Sequence, residues 1–341
     1  MKVGILGAGN ISDTHARAAL GVPGVEIAAV CGTNREKAER MAAKYGGTAY
    51  DDLTRFLDHR PLDIVAIGTP SGVHAEQAIA AIDRGLHVLC EKPLDVTTAK
   101  VDSVVNAAER AGVKVGVFFQ DRLKPDIAAM KQMIVSGKLG KPIFIAGHVR
   151  WYRPPEYYAT SKWRGSWALD GGGALMNQAI HTVDVLQWLF GPVARVAGRT
   201  GTLLHAIKTE DTAGAVVEFE NGALGIIEAT TSSYPGYARR VEVSGSEGTL
   251  ILDSDRLAAV DLRGAGPSKA AAAEPPPENA ASATVSDSVP HQRIFEDFIR
   301  AIRTNGTPVC DAREARPSVA IIEAIYRSAK SGVFERPPSL A

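Results

Sequence analysis

The chain carries no surplus of either charge: Lys plus Arg and Asp plus Glu each number 38 in 341 residues. Without an excess of cations a phosphate backbone or an anionic lipid surface is a poor match, so neither nucleic acid nor membrane is an expected partner. Cysteine is scarce. Cys31, Cys90 and Cys310 are widely spaced and odd in number, which speaks for reduced thiols and against a disulfide framework. Long apolar runs are missing, and the strand-like stretch from Val3 begins too early for a secretory leader, so a cytoplasmic protein is expected. No metal site is read from the sequence. The hydrophobic share of 45% is ordinary, and over this length it supplies about two cores.

The first third alternates short apolar runs with amphipathic segments. Strands are expected at Val3–Leu6, Val25–Val30, Ile64–Ile67, His87–Cys90 and Val115–Phe118, and helices at Ser12–Leu20, Arg35–Tyr45, Val73–Arg84 and Val96–Ala111. Unbroken apolar strands between helices predict a parallel sheet covered on both faces. A further helix, Pro125–Ser136, leads out of this region. After Lys141-Pro142 the pattern turns β-rich, at Pro142–Arg150, Val193–Leu204, Thr212–Phe219, Ala223–Thr231 and Arg239–Ser244. Glu220-Asn221-Gly222 marks a hairpin. Consecutive strands with tight turns predict an open, mostly antiparallel sheet in an α+β second domain. One helix, Ala174–Phe190, interrupts it; two more are expected near Gln292–Thr304 and Ala312–Ser331. The expected division is an α/β domain over 1–122 and an α+β domain over 123–341, with a flexible Ala/Pro/Ser-rich insertion at 264–290 and the last helices packing back.

Several motifs carry chemistry. Gly7-Ala8-Gly9-Asn10-Ile11-Ser12 follows the first strand and opens the first helix. Gly7 permits a tight turn, Gly9 lets a pyrophosphate reach a helix N-terminus, and Ser12 is small enough for close helix–strand packing. Dinucleotide binding is the expectation. At the end of the second strand, where an NAD enzyme places an acid for the ribose, this chain has Gly32, followed by Thr33, Asn34, Arg35 and Lys37. That arrangement admits a 2′-phosphate, so NADP is favoured over NAD; the other reading makes Arg35 and Lys37 a solvated first turn of helix. Thr69-Pro70-Ser71, with His74 after it, leaves the Ile64–Ile67 strand and lines the nicotinamide side, unless Ser71 simply caps a helix. Glu91-Lys92-Pro93 ends an apolar strand with two charges, at the edge where parallel sheets hold ligands. Further on, Trp163-Arg164 precedes Gly171-Gly172-Gly173, whose glycines let backbone come close to a ligand. Helical spacing then sets Asn177, His181 and Asp184 on one polar face.

Together these residues resemble the Gfo/Idh/MocA family, the glucose–fructose oxidoreductase and inositol dehydrogenase group, over nearly the whole chain. The resemblance implies a Rossmann domain and NAD(P)-dependent chemistry at a carbinol carbon of sugars or cyclitols. It also implies homodimers or homotetramers formed through the C-terminal sheet. The implied catalytic lysine is Lys92 and the implied acid/base is His181. Many members carry Asp four residues before that histidine; here Asn177 stands there, able to bind a hydroxyl but not to share a proton. In the working reading His181 removes a sugar hydroxyl proton, and Lys92 hydrogen-bonds the same oxygen. Gln120, Tyr152, Trp163, Arg164 and Asn177 complete the substrate-facing set. A sugar-nucleotide 3-dehydrogenase, glycoside cleavage through transient oxidation of C3, a non-catalytic sugar- or cofactor-binding regulator, and biliverdin- or dihydrodiol-type reduction on the same scaffold remain as alternatives.

Overall fold

The computed structural model describes residues 1–265 and 287–340. Most of the insertion expected at 264–290 lies outside the described residues. The chain forms two compact units. One holds Met1–Gln120 together with the later stretch that ends at Arg316; the other runs from Asp121 through the second sheet and resumes at Pro317.

The first unit is built on six parallel strands: β1 (Lys2–Leu6), β2 (Glu26–Cys31), β3 (Thr48–Tyr50), β4 (Ile64–Ile67), β5 (His87–Cys90) and β6 (Val115–Val117). Their order is β3-β2-β1-β4-β5-β6, so the strand order reverses beside β1, the place where open α/β sheets take ligands. The central strands are apolar throughout because both faces are covered; β4 is buried at all four residues. The crossover helices are α1 (Asn10–Leu20), α2 (Arg35–Tyr45), α3 (Leu53–Leu57), α4 (His74–Ile82) and α5 (Thr98–Ala111). Asn34, Asp52 and Thr97 cap α2, α3 and α5 through their side chains, which fixes where each helix begins.

Helix α9 (Val289–Arg303) returns from far along the chain to complete this unit. Its Phe295 meets Phe118 edge-on at 5.5 Å, and a side chain at Gly116 would strike Phe298 at 2.8 Å. The β6 edge is closed by the Val117 N–H, which donates to the Cys310 carbonyl at 3.0 Å.

The second unit holds a seven-stranded sheet of β7 (Pro142–Arg150), β8 (Val193–Gly201), β9 (Thr212–Phe219), β10 (Leu224–Thr230), β11 (Arg240–Gly245), β12 (Gly248–Asp253) and β13 (Arg256–Leu262). The order is β13-β12-β11-β7-β10-β9-β8, antiparallel except for the β7–β10 pair. Burial alternates along β9 and β10, as it does when one face is packed and the other open. The packed face meets α8 (Ile180–Phe190), which comes so close to Gly147 that a side chain there would lie 2.7 Å from Thr182 and Leu186. The open face displays Val216, Leu224 and Ile226. Helices α6 (Pro125–Val135), α7 (Pro155–Ala159) and, from Pro317, the remainder of α10 (Ala312–Ser331) complete the unit.

Candidate functional site

The residues expected to face a nucleotide gather at the carboxyl edge of the first sheet. Gly7 has φ +120°, and its N–H donates to the Cys31 carbonyl at 2.8 Å. A side chain there would lie 2.5 Å from Ser12 Oγ and 2.8 Å from the Gly68 carbonyl, so only glycine makes this turn. Ser12 is fully buried in the gap, as expected of the third small residue of the loop. Gly9 is the N-cap of α1 and supplies no side-chain cap, and nothing lies within 4 Å of the point where its Cβ would stand. Asn10 is exposed beside it and Ile11 half-buried. An uncapped helix N-terminus facing open space, with its first N–H groups unclaimed by side chains, fits a pyrophosphate.

Gly32 is glycine for a steric reason. A Cβ there would sit 2.7 Å from the Ala8 methyl of the loop, so no acid fits at that strand end without displacing it. Thr33 and Lys37 are exposed. Asn34 spends its side chain on the cap of α2, accepting the Lys37 N–H at 3.0 Å. Arg35 reaches Glu39 at 2.7 Å and Asp51 at 3.5 Å, both at the surface.

The loops after β4 and β5 are braced from beneath. His74 is buried with Nε2 2.8 Å from the Thr69 carbonyl and Nδ1 2.7 Å from the Pro93 carbonyl, so it ties the two loops together. Its side chain is a strut and does not face outward. Thr69 donates to Gln77 at 2.6 Å. Ser71 caps no helix: it opens a single 3₁₀ turn behind Pro70, α4 begins at His74 without a side-chain cap, and Asp95 accepts the Ala75 N–H at 2.9 Å instead. Lys92 stands just beyond β5, half-buried, its N–H donating to Glu91 Oε2 at 3.2 Å. Gln120 follows the end of β6 and keeps Oε1 buried with no hydrogen-bond partner among the described residues.

Glu91 turns inward to a pair of histidines that sequence reading missed. Its Oε1 lies 2.9 Å from His15 Nε2 and 3.5 Å from His291 Nε2, all three side chains buried. Three such atoms within 4.8 Å of one another invite a metal reading. The far ring nitrogens argue otherwise, because Nδ1 of both histidines has no hydrogen-bond partner among the described residues. With protons on both Nε2 atoms only two weak acceptors go unmet; a cation on Nε2 would leave two buried N–H donors orphaned. The trio is a hydrogen-bonded clamp. Burial raises the Glu91 carboxyl, but the two histidines outweigh it and hold it well below the ordinary range. Burial lowers His15 below its usual 6.5 despite Glu91. A depressed histidine stays neutral in the fold but takes a proton once unfolded. Stability from His15 is therefore full above pH 6.5 and drains away as pH falls below it. Thermal melts between pH 7.5 and 5.5 are expected to show this loss, at most about 1.4 kcal/mol per pH unit, and His15→Gln is expected to flatten the slope.

In the second unit the expected substrate residues divide into two groups. Arg164 stacks on Tyr157 with its guanidinium 4.0 Å from the ring centre and 5.4 Å from that of Trp163. Arg153, buried, lies 5.6 Å from the centre of the same ring and donates to Gln178 at 2.8 Å. Gln178 in turn donates to Asn177 Oδ1 and to Tyr157 Oη, each at 2.9 Å, and Asn177 donates to Asp170. Tyr152 packs edge-on against Tyr234 at 5.2 Å, and Arg150 is clasped by Glu228 on the sheet.

The glycine run before this helix serves the protein's own packing. A side chain at Gly172 would lie 2.0 Å from Tyr326 Oη, and one at Gly173 1.9 Å from the Glu210 carbonyl. Glu210 caps the helix start, accepting the N–H groups of Gly173 and Leu175. The expected single helix is two: a π-helical segment, Ala174–Ala179, runs into α8. The wider turn breaks the simple i, i+4, i+7 stripe. Asp184 is fully buried, bound in a bidentate pair by Arg122 at 2.7 and 2.8 Å and by Ser318 at 3.0 Å, so it anchors the helix and is no part of a substrate face. His181 keeps only 15% of its side chain exposed, with Nδ1 4.0 Å from Asp121 Oδ2.

The family model described as "Oxidoreductase family, NAD-binding Rossmann fold" matches residues 1–119, and "GFO/IDH/MocA C-terminal domain" matches 127–251. The D-apiose dehydrogenase of Paraburkholderia graminis is 29% identical, over 97% of this chain and 88% of its own. The myo-inositol 2-dehydrogenase of Thermotoga maritima is 28% identical, over 77% and 78%. Among solved structures, the WlbA dehydrogenase of Bordetella pertussis, in complex with NADH and UDP-GlcNAcA, superimposes with a TM-score of 0.88 at 33% identity, covering 99% of each chain.

Proposed function

The chain belongs to the Gfo/Idh/MocA oxidoreductase family, and from that premise we propose that it moves hydride between a nicotinamide dinucleotide and a secondary alcohol or ketone of a sugar or cyclitol. One observation carries the reading. The open N-terminus of α1 and Lys92 follow the carboxyl ends of β1 and β5 at one edge of the parallel sheet, with only β4 between those strands. Two strand spacings put them about 10 Å apart laterally, so a nucleotide seated on α1 extends toward the lysine. The bound nicotinamide supplies the hydride acceptor or donor. Lys92 donates a hydrogen bond to the substrate oxygen and stabilises its developing charge. His181 takes the hydroxyl proton through Nε2 during oxidation and returns it during reduction. Gln120 Oε1 offers an acceptor for a neighbouring hydroxyl. The test is a panel of aldoses, cyclitols and nucleotide-linked sugars with each cofactor, read at the nicotinamide absorbance. At least one sugar or cyclitol is expected to reduce the cofactor; binding of cofactor with no turnover across the panel would leave a regulator instead.

The cofactor favoured is NADP. Ala8 leaves no room for a ribose-binding acid at position 32, and Thr33 and Lys37 stand exposed beside it. The pairs of Arg35 with Glu39 and Asp51 are half exposed, and such pairs are worth about 0–1 kcal/mol, so a 2′-phosphate easily recruits that guanidinium. We expect kcat/KM to favour NADPH over NADH by about tenfold or more, and the double variant R35A/K37A to erase the preference. Equal use of both by the wild type would refute this.

A nucleotide-linked sugar acid is the second reading, favoured by two cations, Arg153 and Arg164, gathered at the Tyr157 ring. The open sheet face, with Val216, Leu224 and Ile226 exposed, is the proposed seam of a homodimer or homotetramer. Light scattering is expected to give a multiple of 36.1 kDa that V216K/I226K reduces to one chain.

A further inference from the structure

We infer that Asp121 is the positioning residue for His181, holding the ring so that Nε2 faces substrate and steadying the imidazolium formed when the proton arrives. The inference rests on the reading of His181 as the acid/base. It starts from a gap on the helix itself. Asn177, one turn before the histidine, carries no charge and gives its amide to Asp170. Asp184, one turn after, is consumed by Arg122 and Ser318. The carboxylate that faces the imidazole comes from another element, the short 3₁₀ turn Gln120–Leu123, with Asp121 Oδ2 4.0 Å from Nδ1.

Asp121 is built to stay in place and to stay charged. It is buried, with Oδ1 2.6 Å from Lys124 Nζ and Oδ2 bound by Arg239. Lys124 also reaches Asp255 at 2.6 Å, and Arg239 binds Asp255 with its other nitrogen. Two acids and two bases thus close a ring of ion pairs. Asp255 lies in the two-residue turn between β12 and β13, where Ser254 and Asp255 both have positive φ, +52° and +66°, so the backbone fixes the far side of the ring. Burial raises the Asp121 carboxyl, but Arg239, Lys124 and His181 outweigh it and keep it well below the ordinary range. Behind Asp121 stand Lys124, Arg239 and Asp255, and the Arg122–Asp184 pair ties the same 3₁₀ turn to the helix that carries His181. The 4.0 Å gap is longer than a hydrogen bond, as carboxylate–histidine contacts often are before substrate arrives. A proton on Nδ1 pointing at Asp121 leaves the Nε2 lone pair as the base.

Asp121→Asn keeps the shape and removes the charge. An opposite charge at this range raises the basicity of an imidazole, so its loss makes a weaker base. We expect kcat for alcohol oxidation to fall about 10–100-fold with KM little changed, and the acid limb of kcat/KM to move down by about one pH unit. Asp121→Glu is expected to restore the limb. A folded Asp121→Asn enzyme with unaltered limb and kcat overturns the inference. Should that variant fail to fold, histidine-labelled NMR of the wild-type protein gives an independent answer: His181 in the Nδ1–H tautomer supports the inference, and the Nε2–H tautomer overturns it. His181→Ala at wild-type turnover would sink the acid/base reading itself, a result separable from either.

Discussion

Lys92→Ala is expected to lower turnover about 10²–10⁴-fold, and His181→Ala to do the same, with both proteins melting close to the wild type. Neither side chain is sealed in a core: Lys92 is half-buried and His181 keeps part of its ring exposed. Their removal should therefore be felt in chemistry more than in folding. In the proposed mechanism the two act on one oxygen, the first by stabilising its charge and the second by moving its proton. Residues that act as a unit lose little more together than apart. The double variant is accordingly expected to fall no more than about tenfold below the weaker single one. If the losses multiply in full, the pair does not share a step; if both single variants turn over like the wild type, the mechanism is wrong. Initial rates in both directions, with melting curves alongside, decide it.

Asp184→Asn is expected to have the second large effect, on stability. The carboxylate and Arg122 are both wholly buried and joined by two hydrogen bonds, with Ser318 on a third. Removing one partner strands the other charge in a dry interior, which costs about 3–5 kcal/mol. For a unit of this size that is a drop of roughly 6–20 °C in Tm. Replacing both charges, as in R122M/D184L, is expected to recover most of the loss, because a matched apolar pair leaves no orphan. Were Asp184 part of the substrate face, Asp184→Asn would instead lower kcat at an unchanged Tm.

That contrast shows what local pattern conveys. The places of Lys92 and the Gly7–Gly9 loop in the fold were legible because the end of a parallel strand and the start of its helix are fixed by neighbouring residues. Helix α2 and strands β4, β5, β7 and β9 fall at their expected bounds, since apolar periodicity and local caps decide them. Strand β3 and helix α3 escaped, being three and five residues long. Strands β12 and β13 escaped because their turn, Ser254-Asp255, lacks the glycine that usually announces it. Distant partners were invisible. Gly172 and Gly173 looked like room for a ligand, but the space belongs to Tyr326 and Glu210. The acid beside His181 lies sixty positions earlier, next to a glutamine that drew attention in its place. His15 was the one missed residue with a local signal: a histidine on the small-residue, buried face of α1 needs a partner.

The return of α9 to the first unit bears on how the protein is made. Phe118, stacked on one side against His15, and the β6 edge find the rest of their cover in residues beyond 288, so the nucleotide-holding half leaves the ribosome with apolar surface bare. At ordinary synthesis rates roughly 180 further residues take about 10–40 s to emerge. Before that interval ends the second sheet has gained all its strands, while the first unit is still waiting for its lid. A chain cut short after residue 265 would thus keep every strand of both sheets and still be poorly fit to hold a nucleotide.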